Sequence, residues 1–254
     1  MNIKYIRPCS DLHTEFKPCK LPELETDSES ILILAGDIGS ETTAVEFVNS
    51  ISNRFPYVVY VLGNHEYYGK NLKHVKNNIK SNIIGDNVFV IDEPETIVFS
   101  ENLKIVAGTL WTDFNQNNKQ THDNVGTFLN DFRYIYNGDF KFTTYDAYNI
   151  FKRTIEFFEK EVDENTIVVT HHMPSEFCVA PAYKTRFHDN GGFRSDLDYL
   201  IVRKNPRYWI HGHGHNSVNF KLGETHIIAN PRGYPLHFGE MENGVFDDEL
   251  VIEL

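Results

Sequence analysis

Five apolar runs of strand length in this chain each give way to side chains that can bind metal. Residues 3–6 lead to Asp11 and His13, and residues 31–35 to Gly36-Asp37. Residues 57–62 lead to Gly63-Asn64-His65-Glu66, and residues 166–170 to His171-His172. Residues 208–210 lead to His211-Gly212-His213-Gly214-His215. The middle runs are apolar without alternation, as expected of strands covered on both faces in a parallel sheet. Between them, 42–53 has helical spacing through Val45, Val48 and Ile51, and Lys- and Asn-rich 70–82 suits an exposed helix. Residues 143–162 place Tyr148, Phe151, Ile155 and Phe158 on one helical face, read as core, and 197–202 suggests a further helix. Strands that alternate with helices predict an α/β fold. In such sheets functional groups gather at the carboxyl ends of strands, so five ends pointing one way would converge.

The remaining segments read as follows. Pro8 ends the first run, and 14–30 is a surface loop. The candidates 88–91, 96–99 and 104–107, separated by Gly, Asn and Asp, predict a meander. Polar 115–126 reads as a loop, and 173–192 as a long irregular segment of the kind that often carries function. Strands are expected at 217–222, 225–229 and 249–254, with a turn at 230–234. No linker or repeat interrupts the chain, so residues 1–254 are expected to form one domain.

Composition excludes several classes. No apolar run approaches the roughly 20 residues of a membrane helix, and residues 1–6 carry no signal-peptide pattern. A cytoplasmic protein without membrane partners is therefore expected. Cys9, Cys19 and Cys178 cannot all pair and read as reduced thiols. A net charge of −12 argues against nucleic acid as a stable partner. It does not exclude phosphate substrates, because bound cations reverse a local field.

Singly, Asp11-Leu12-His13 could belong to any loop, and Gly36-Asp37 reads as a turn. The five together form an ordered set that a core does not need. Imidazole suits Zn, Fe, Mn and Ni, and carboxylate and carbonyl oxygens suit the harder ions among them. No cysteine follows the strand ends, which speaks against a structural zinc site. Two-metal hydrolytic sites hold their ions roughly 3.5–4 Å apart, and Asp37, alone at its strand end, is the natural bridge.

The order Asp11-x-His13, Gly36-Asp37, Gly63-Asn64-His65-Glu66, a His after a strand, and Gly212-His213-x-His215 resembles the calcineurin-like metallophosphoesterase superfamily. Residues 109–114 and 230–234 look like a bacterial and phage subgroup whose substrates are mostly undefined. The resemblance implies a sandwich of two mixed β-sheets flanked by helices, with the active site at strand C-terminal ends. It implies two divalent ions, drawn from Mn, Fe, Zn or Ni with Mn favoured. Asp11, His13 and His215 would hold the first. Asn64, His213 and a His from the His171–His172 pair would hold the second, and Asp37 would bridge. His65 would act on the leaving group rather than bind metal. His171, directly at the strand end, is preferred over His172.

Counting charges, two divalent ions less Asp11, Asp37 and a hydroxide leave about one positive charge. A neutral Asn64 preserves it. The expected activity is metal-dependent hydrolysis of a small phosphomonoester or phosphodiester. The alternatives are a nuclease acting on DNA or RNA, which needs a basic groove, and a non-catalytic binding scaffold on the same fold. Glu66 either orients His65 or caps a helix. Arg232 contacts phosphate or stabilises its turn. His188, with Asp189 and Asn190, could touch substrate, and His211 lies near the centre. His74, His122, His226 and His237 read as structural or surface residues.

Overall fold

The computed structural model describes residues 3–254. In chain order its strands are β1 (Tyr5–Cys9), β2 (Ser30–Ala35), β3 (Tyr57–Val61), β4 (Val88–Ile91), β5 (Glu95–Ser100), β6 (Leu103–Gly108), β7 (Tyr136–Asn137), β8 (Phe140–Lys141), β9 (Thr166–Thr170), β10 (Tyr208–His211), β11 (Val218–Leu222), β12 (Thr225–Ala229) and β13 (Ile252–Glu253). The first sheet has the order β13-β1-β2-β3-β4, with only β13 antiparallel. The second has the order β11-β12-β10-β9-β6-β5, with β6, β9, β10 and β12 parallel and antiparallel strands at both edges. β7 and β8 form a separate hairpin.

Strand periodicity explains how the sheets stack. Successive side chains point to opposite faces, so Ile31 and Ile33 of β2 and Val59 and Val61 of β3 meet Ile105, Ile167, Val169 and Ile210 in one layer between the sheets. Leu32, Leu34, Val58 and Tyr60 point the other way, under Ala44 and Val48 of the helix Glu41–Ile51 and Val75 and Ile79 of the helix Leu72–Asn82. Behind the second sheet, Val168, Trp209 and Ile227 pack on Phe151 and Phe158 of the helix Thr144–Glu161 and on Leu200 and Ile201 of Asp198–Lys204. Tyr148 and Ile155 complete that face half-buried. Full burial of each such side chain contributes about 1.5–3 kcal/mol relative to exposure.

Several expectations are corrected. The meander does not form: β4 closes the first sheet, and the chain crosses to the second before β5. Turn signals mark where a strand stops, not which sheet the next one joins. β1 runs through Pro8 to Cys9, because β13 covers only Tyr5 and Ile6 and no ladder bond on that side is lost at the proline. The 115–126 segment is not a loop. Phe114–Asn117 all have positive φ (48°, 51°, 60° and 61°), a left-handed turn, and the helix Lys119–Phe128 follows. The expected strand 249–254 shrinks to β13. All three cysteines are free thiols, and Cys9 and Cys178 are buried.

Candidate metal centre

β1, β2 and β3 end on the same side of the molecule as β9 and β10, and the chain turns sharply at each end. Asp11, His13, Asp37, His213 and His215 all have positive φ, between 46° and 67°. Left-handed backbone costs roughly 1–2 kcal/mol in a residue with a Cβ. It is held here by backbone hydrogen bonds: Asp11 N–H to Gly36 O (2.9 Å), His13 N–H to Asp37 O (3.1 Å) and Gly212 N–H to His171 O (3.0 Å). Two glycines let the turns close together. A Cβ at Gly63 would lie 2.5 Å from Asp37 N and 2.8 Å from the His171 ring. One at Gly212 would lie 2.6 Å from Asp11 Oδ2.

The turned side chains form two groups. In the first, His13 Nε2 lies 3.1 Å from His215 Nε2, which lies 3.4 Å from Asp11 Oδ1. In the second, His171 Nε2 lies 2.9 Å from Asn64 Oδ1 and 3.4 Å from Asp37 Oδ1, with His213 beside them. Asp37 faces both groups, since its Oδ2 lies 3.9 Å from His13 Nε2. His213 Nε2 is buried and has no hydrogen-bond partner. Buried polar atoms are seldom left unpaired, and carboxylate, amide and imidazole donors suit divalent cations. The residues present therefore fit one divalent ion at each group.

A second layer of contacts fixes the orientation of these donors. The Asp131 carboxylate accepts from Asn64 Nδ2 (2.9 Å) and from the Tyr68 hydroxyl (2.7 Å). The amide must donate to that carboxylate, so its oxygen is the atom turned towards His171. Ala35 O holds His171 Nδ1 (2.9 Å), Glu242 holds His215 Nδ1 (2.6 Å), and Glu15 holds His13 Nδ1 (3.2 Å). Each of these rings presents Nε2 inward, and such partners set ring orientation and ligand basicity.

A family sequence profile described as Calcineurin-like phosphoesterase matches residues 9–217. The chain belongs to this family. An uncharacterized protein of Acanthamoeba polyphaga mimivirus is 25% identical over 91% of this chain and 92% of its own length. The phosphopantetheinyl hydrolase PptH of Mycobacterium tuberculosis superposes with a TM-score of 0.68 at 18% identity, over 91% of this chain and 89% of that one. A dimetal phosphatase of Danio rerio superposes with a TM-score of 0.50 at 12% identity, over 90% and 87% of the two chains.

In this calcineurin-like phosphoesterase the electrostatics follow from crowding. Burial opposes the charged form of Asp37, yet the His171, His65 and His13 imidazoles hold its carboxyl well below the usual carboxylate range. Burial likewise opposes charge on His171 and His215, but Asp37 raises the first to about 9. Asp11 and Glu242 raise the second to about 10. Cation binding at these rings displaces the protons. Burial would raise Glu15, but His13 and His65 bring it down to about 2.

Glu66 neither orients His65 nor caps a helix. Its carboxylate accepts from Asp37 N (3.2 Å), Ile38 N (2.8 Å), Gly63 N (2.9 Å) and the Tyr60 hydroxyl (2.7 Å), tying the β2 turn to the β3 turn. Burial and the nearby Asp37 charge push it up to about 7. His65 stands beside the groups: Nδ1 meets Glu15 (3.0 Å), Nε2 meets the Tyr234 hydroxyl (2.8 Å), and its backbone N–H donates to Asp37 Oδ1 (2.8 Å).

Three further candidates are placed as follows. His172 lies beside the second group, its ring centroid 4.4 Å from that of His213 and its Nε2 buried without a partner, but outside the converging set of Asp37, His171 and His213. Its Nδ1–H donates to Thr109 O (3.2 Å), its ring packs on Trp111, and burial with His171 pushes it down to about 3. Arg232 does not face substrate, because its guanidinium donates to the carbonyls of Leu12 (2.9 Å), Lys17 (2.8 Å) and Pro18 (3.2 Å) and braces the loop after β1. His188 Nδ1 bonds Thr121 Oγ1 (2.9 Å) and lines a neighbouring cleft, whereas Asp189 and Asn190 do line the central cavity.

His211 is buried with Nδ1 against Gly212 O (3.0 Å), and burial pushes it down to about 4. His122 is stacked between Phe114 and Tyr145, His226 packs on Tyr208, and His74 and His237 are exposed. Sequence reasoning missed Asp131, Glu15, Glu242, Tyr68 and Tyr234. The last sat in a segment read as a turn and as part of the subgroup resemblance, with no role given to its side chain, and the others carried no local signal.

Proposed function

We propose that this phosphoesterase is a two-metal hydrolase of a small phosphoester. The observation that carries the reading is Asp37, whose two carboxylate oxygens face the two histidine groups. Asp11, His13, Asp37 and His215 would hold one divalent ion, and Asp37, Asn64, His171 and His213 the other, with Mn favoured over Fe, Zn and Ni. Two bound ions supply Lewis acidity and a water of lowered pKa.

The chain's own residues do the rest. Burial lowers the affinity of His65 for a proton, but Asp37 and Glu15 raise it further, for a net upward shift. With Nδ1 against Glu15, Nε2 is the atom turned to the cavity and the one that would carry the second proton of a charged ring. His65 can then protonate a departing oxygen, and the Tyr234 hydroxyl holds Nε2 on that side. Such general-acid work is worth about 10²–10⁴-fold.

The nuclease alternative finds little support, since Arg186 is the one Lys or Arg lining the central cavity among the described residues. A non-catalytic scaffold needs neither the Asn64–Asp131 bond nor a positioned His65. A cytoplasmic setting and a small-molecule partner complete the proposal. Among the described residues no helix is long and apolar enough to cross a membrane. The test is metal analysis of the purified protein with a screen of mono- and diesters in added Mn, run beside Asp37→Asn. Loss of metal and turnover in the variant is expected. A variant that keeps two ions and full activity would refute the assignment.

A further inference from the structure

The central cavity, about 390 Å³ in volume, has two chemically different ends. At one end stand His65 and Tyr234. Tyr234 stacks on His13 with ring centroids 4.3 Å apart, and His13 meets His65 at 4.5 Å. At the other end the His213 ring stacks on Phe193 (5.0 Å, 29°), and Phe193 lies near-parallel to Phe128 (6.4 Å, 24°). Met173 and Val179 line the cavity beside them. This aromatic wall starts at His213, one of the candidate ligands, whereas His65 and Tyr234 pack against His13. Phe128 is 38% exposed and, among the described residues, stacks on no ring but that of Phe193, so the wall is open to a guest.

Charge points the same way. Asp189 and Glu242 line the cavity, Glu15 sits behind His13 and His65, and Arg186 is the one lining Lys or Arg among the described residues. A phosphomonoester dianion brings twice the charge of a diester past Asp189 and Glu242, and it would leave the aromatic wall empty. A diester has a second ester arm to place there.

Resting on the two-metal reading above, we propose that the substrate is a phosphodiester monoanion whose retained ester arm is flat and apolar. Its leaving oxygen faces His65 while the retained arm lies on Phe193 and Phe128. Aromatic pairs add stabilisation beyond the area they bury.

The test holds the leaving group constant. The metal-loaded protein is assayed on 4-nitrophenyl phosphate, methyl 4-nitrophenyl phosphate and phenyl 4-nitrophenyl phosphate. We expect kcat/KM to rise from monoester to diester, and by roughly tenfold from the methyl to the phenyl arm, as apolar-pocket discrimination allows. Phe128→Ala should bring the phenyl-to-methyl ratio towards one, with metal content and circular dichroism unaltered. Binding is read separately by calorimetry, where phenyl methylphosphonate should bind more tightly than dianionic methylphosphonate. Hydrolysis with the monoester equal or preferred, or with no advantage of phenyl over methyl, overturns this inference and leaves the two-metal reading intact. Failure to hydrolyse any ester together with failure to retain metal overturns both.

Discussion

Adding one methyl group at Gly63 tests how tightly the two halves of the centre are coupled. A Cβ there would lie 2.5 Å from Asp37 N, closer still to Asp37 Oδ1, and 2.8 Å from the His171 ring. Ordinary contacts begin near 3.4 Å. The nearest obstacles include backbone, so relief requires the β2 and β3 turns to separate by about 1 Å rather than one side chain to swing. Overpacking of this kind costs about 1–3 kcal/mol, occasionally more. Ligand distances in metal sites tolerate only about ±0.2 Å, so the same shift removes Asp37 or Asn64 from the second group. Gly63→Ala should therefore unfold at lower urea, by about 2–3 kcal/mol, and retain fewer ions per chain than the parent. Gly244→Ala is the control, because a Cβ there meets nothing within 4 Å. A Gly63→Ala protein with parental stability, metal content and turnover would show that the turns do not approach as described.

Three other perturbations have definite outcomes. Asp131→Ala frees the Asn64 amide to rotate and should weaken metal retention about 10–100-fold, the usual effect of losing a ligand's supporting partner, as read by competition with a chelator. His65→Ala should keep its metals and lose about 10²–10⁴-fold in rate on esters with poor leaving groups, with a much smaller loss on 4-nitrophenyl esters, whose anion leaves unaided. Loss of metal in that variant would make His65 a ligand. Acid should destabilise the fold through His172 and His211, held down at about 3 and about 4. The unfolded chain protonates both as pH falls through their ordinary range near 6.5, while the folded chain does not, so stability is lost on acidification. Each adds a slope of about 1.4 kcal/mol per pH unit below about pH 6. His172→Asn should remove one such increment from denaturation curves recorded between pH 6 and 4.5, and an unchanged slope would contradict the burial argument.

Much of this architecture was legible because apolar runs and their polar endings are contiguous in sequence. Asp37, Asn64 and the His213–His215 pair could be read at their strand ends without knowing the fold. The choice between His171 and His172 is decided by tertiary contacts beyond the end of β9: His171 Nε2 meets Asn64 and Asp37, whereas His172 Nδ1 meets Thr109 O and its ring packs on Trp111. Asp131 and Glu242 could not be read, since neither stands in a motif and each is brought in by tertiary folding, from 67 residues beyond Asn64 in the first case and 27 beyond His215 in the second. The left-handed turn at Phe114–Asn117 left only a faint trace, the Asn-Gln-Asn run, since asparagine tolerates that conformation better than most residues.

The division of the ligands between the sheets has a consequence for the order of assembly. Asp11, His13, Asp37 and Asn64 follow strands of the first sheet, whereas His171, His213 and His215 follow strands of the second. On the two-metal reading, neither ion would have a complete set of donors until the two layers have docked, with Ile33 and Val59 against Ile167 and Val169. A refolding chain would then capture its ions only at the end of the process. Ions so bound would fasten one layer to the other, and chelation should then speed the separation of the sheets more than the fraying of either sheet alone.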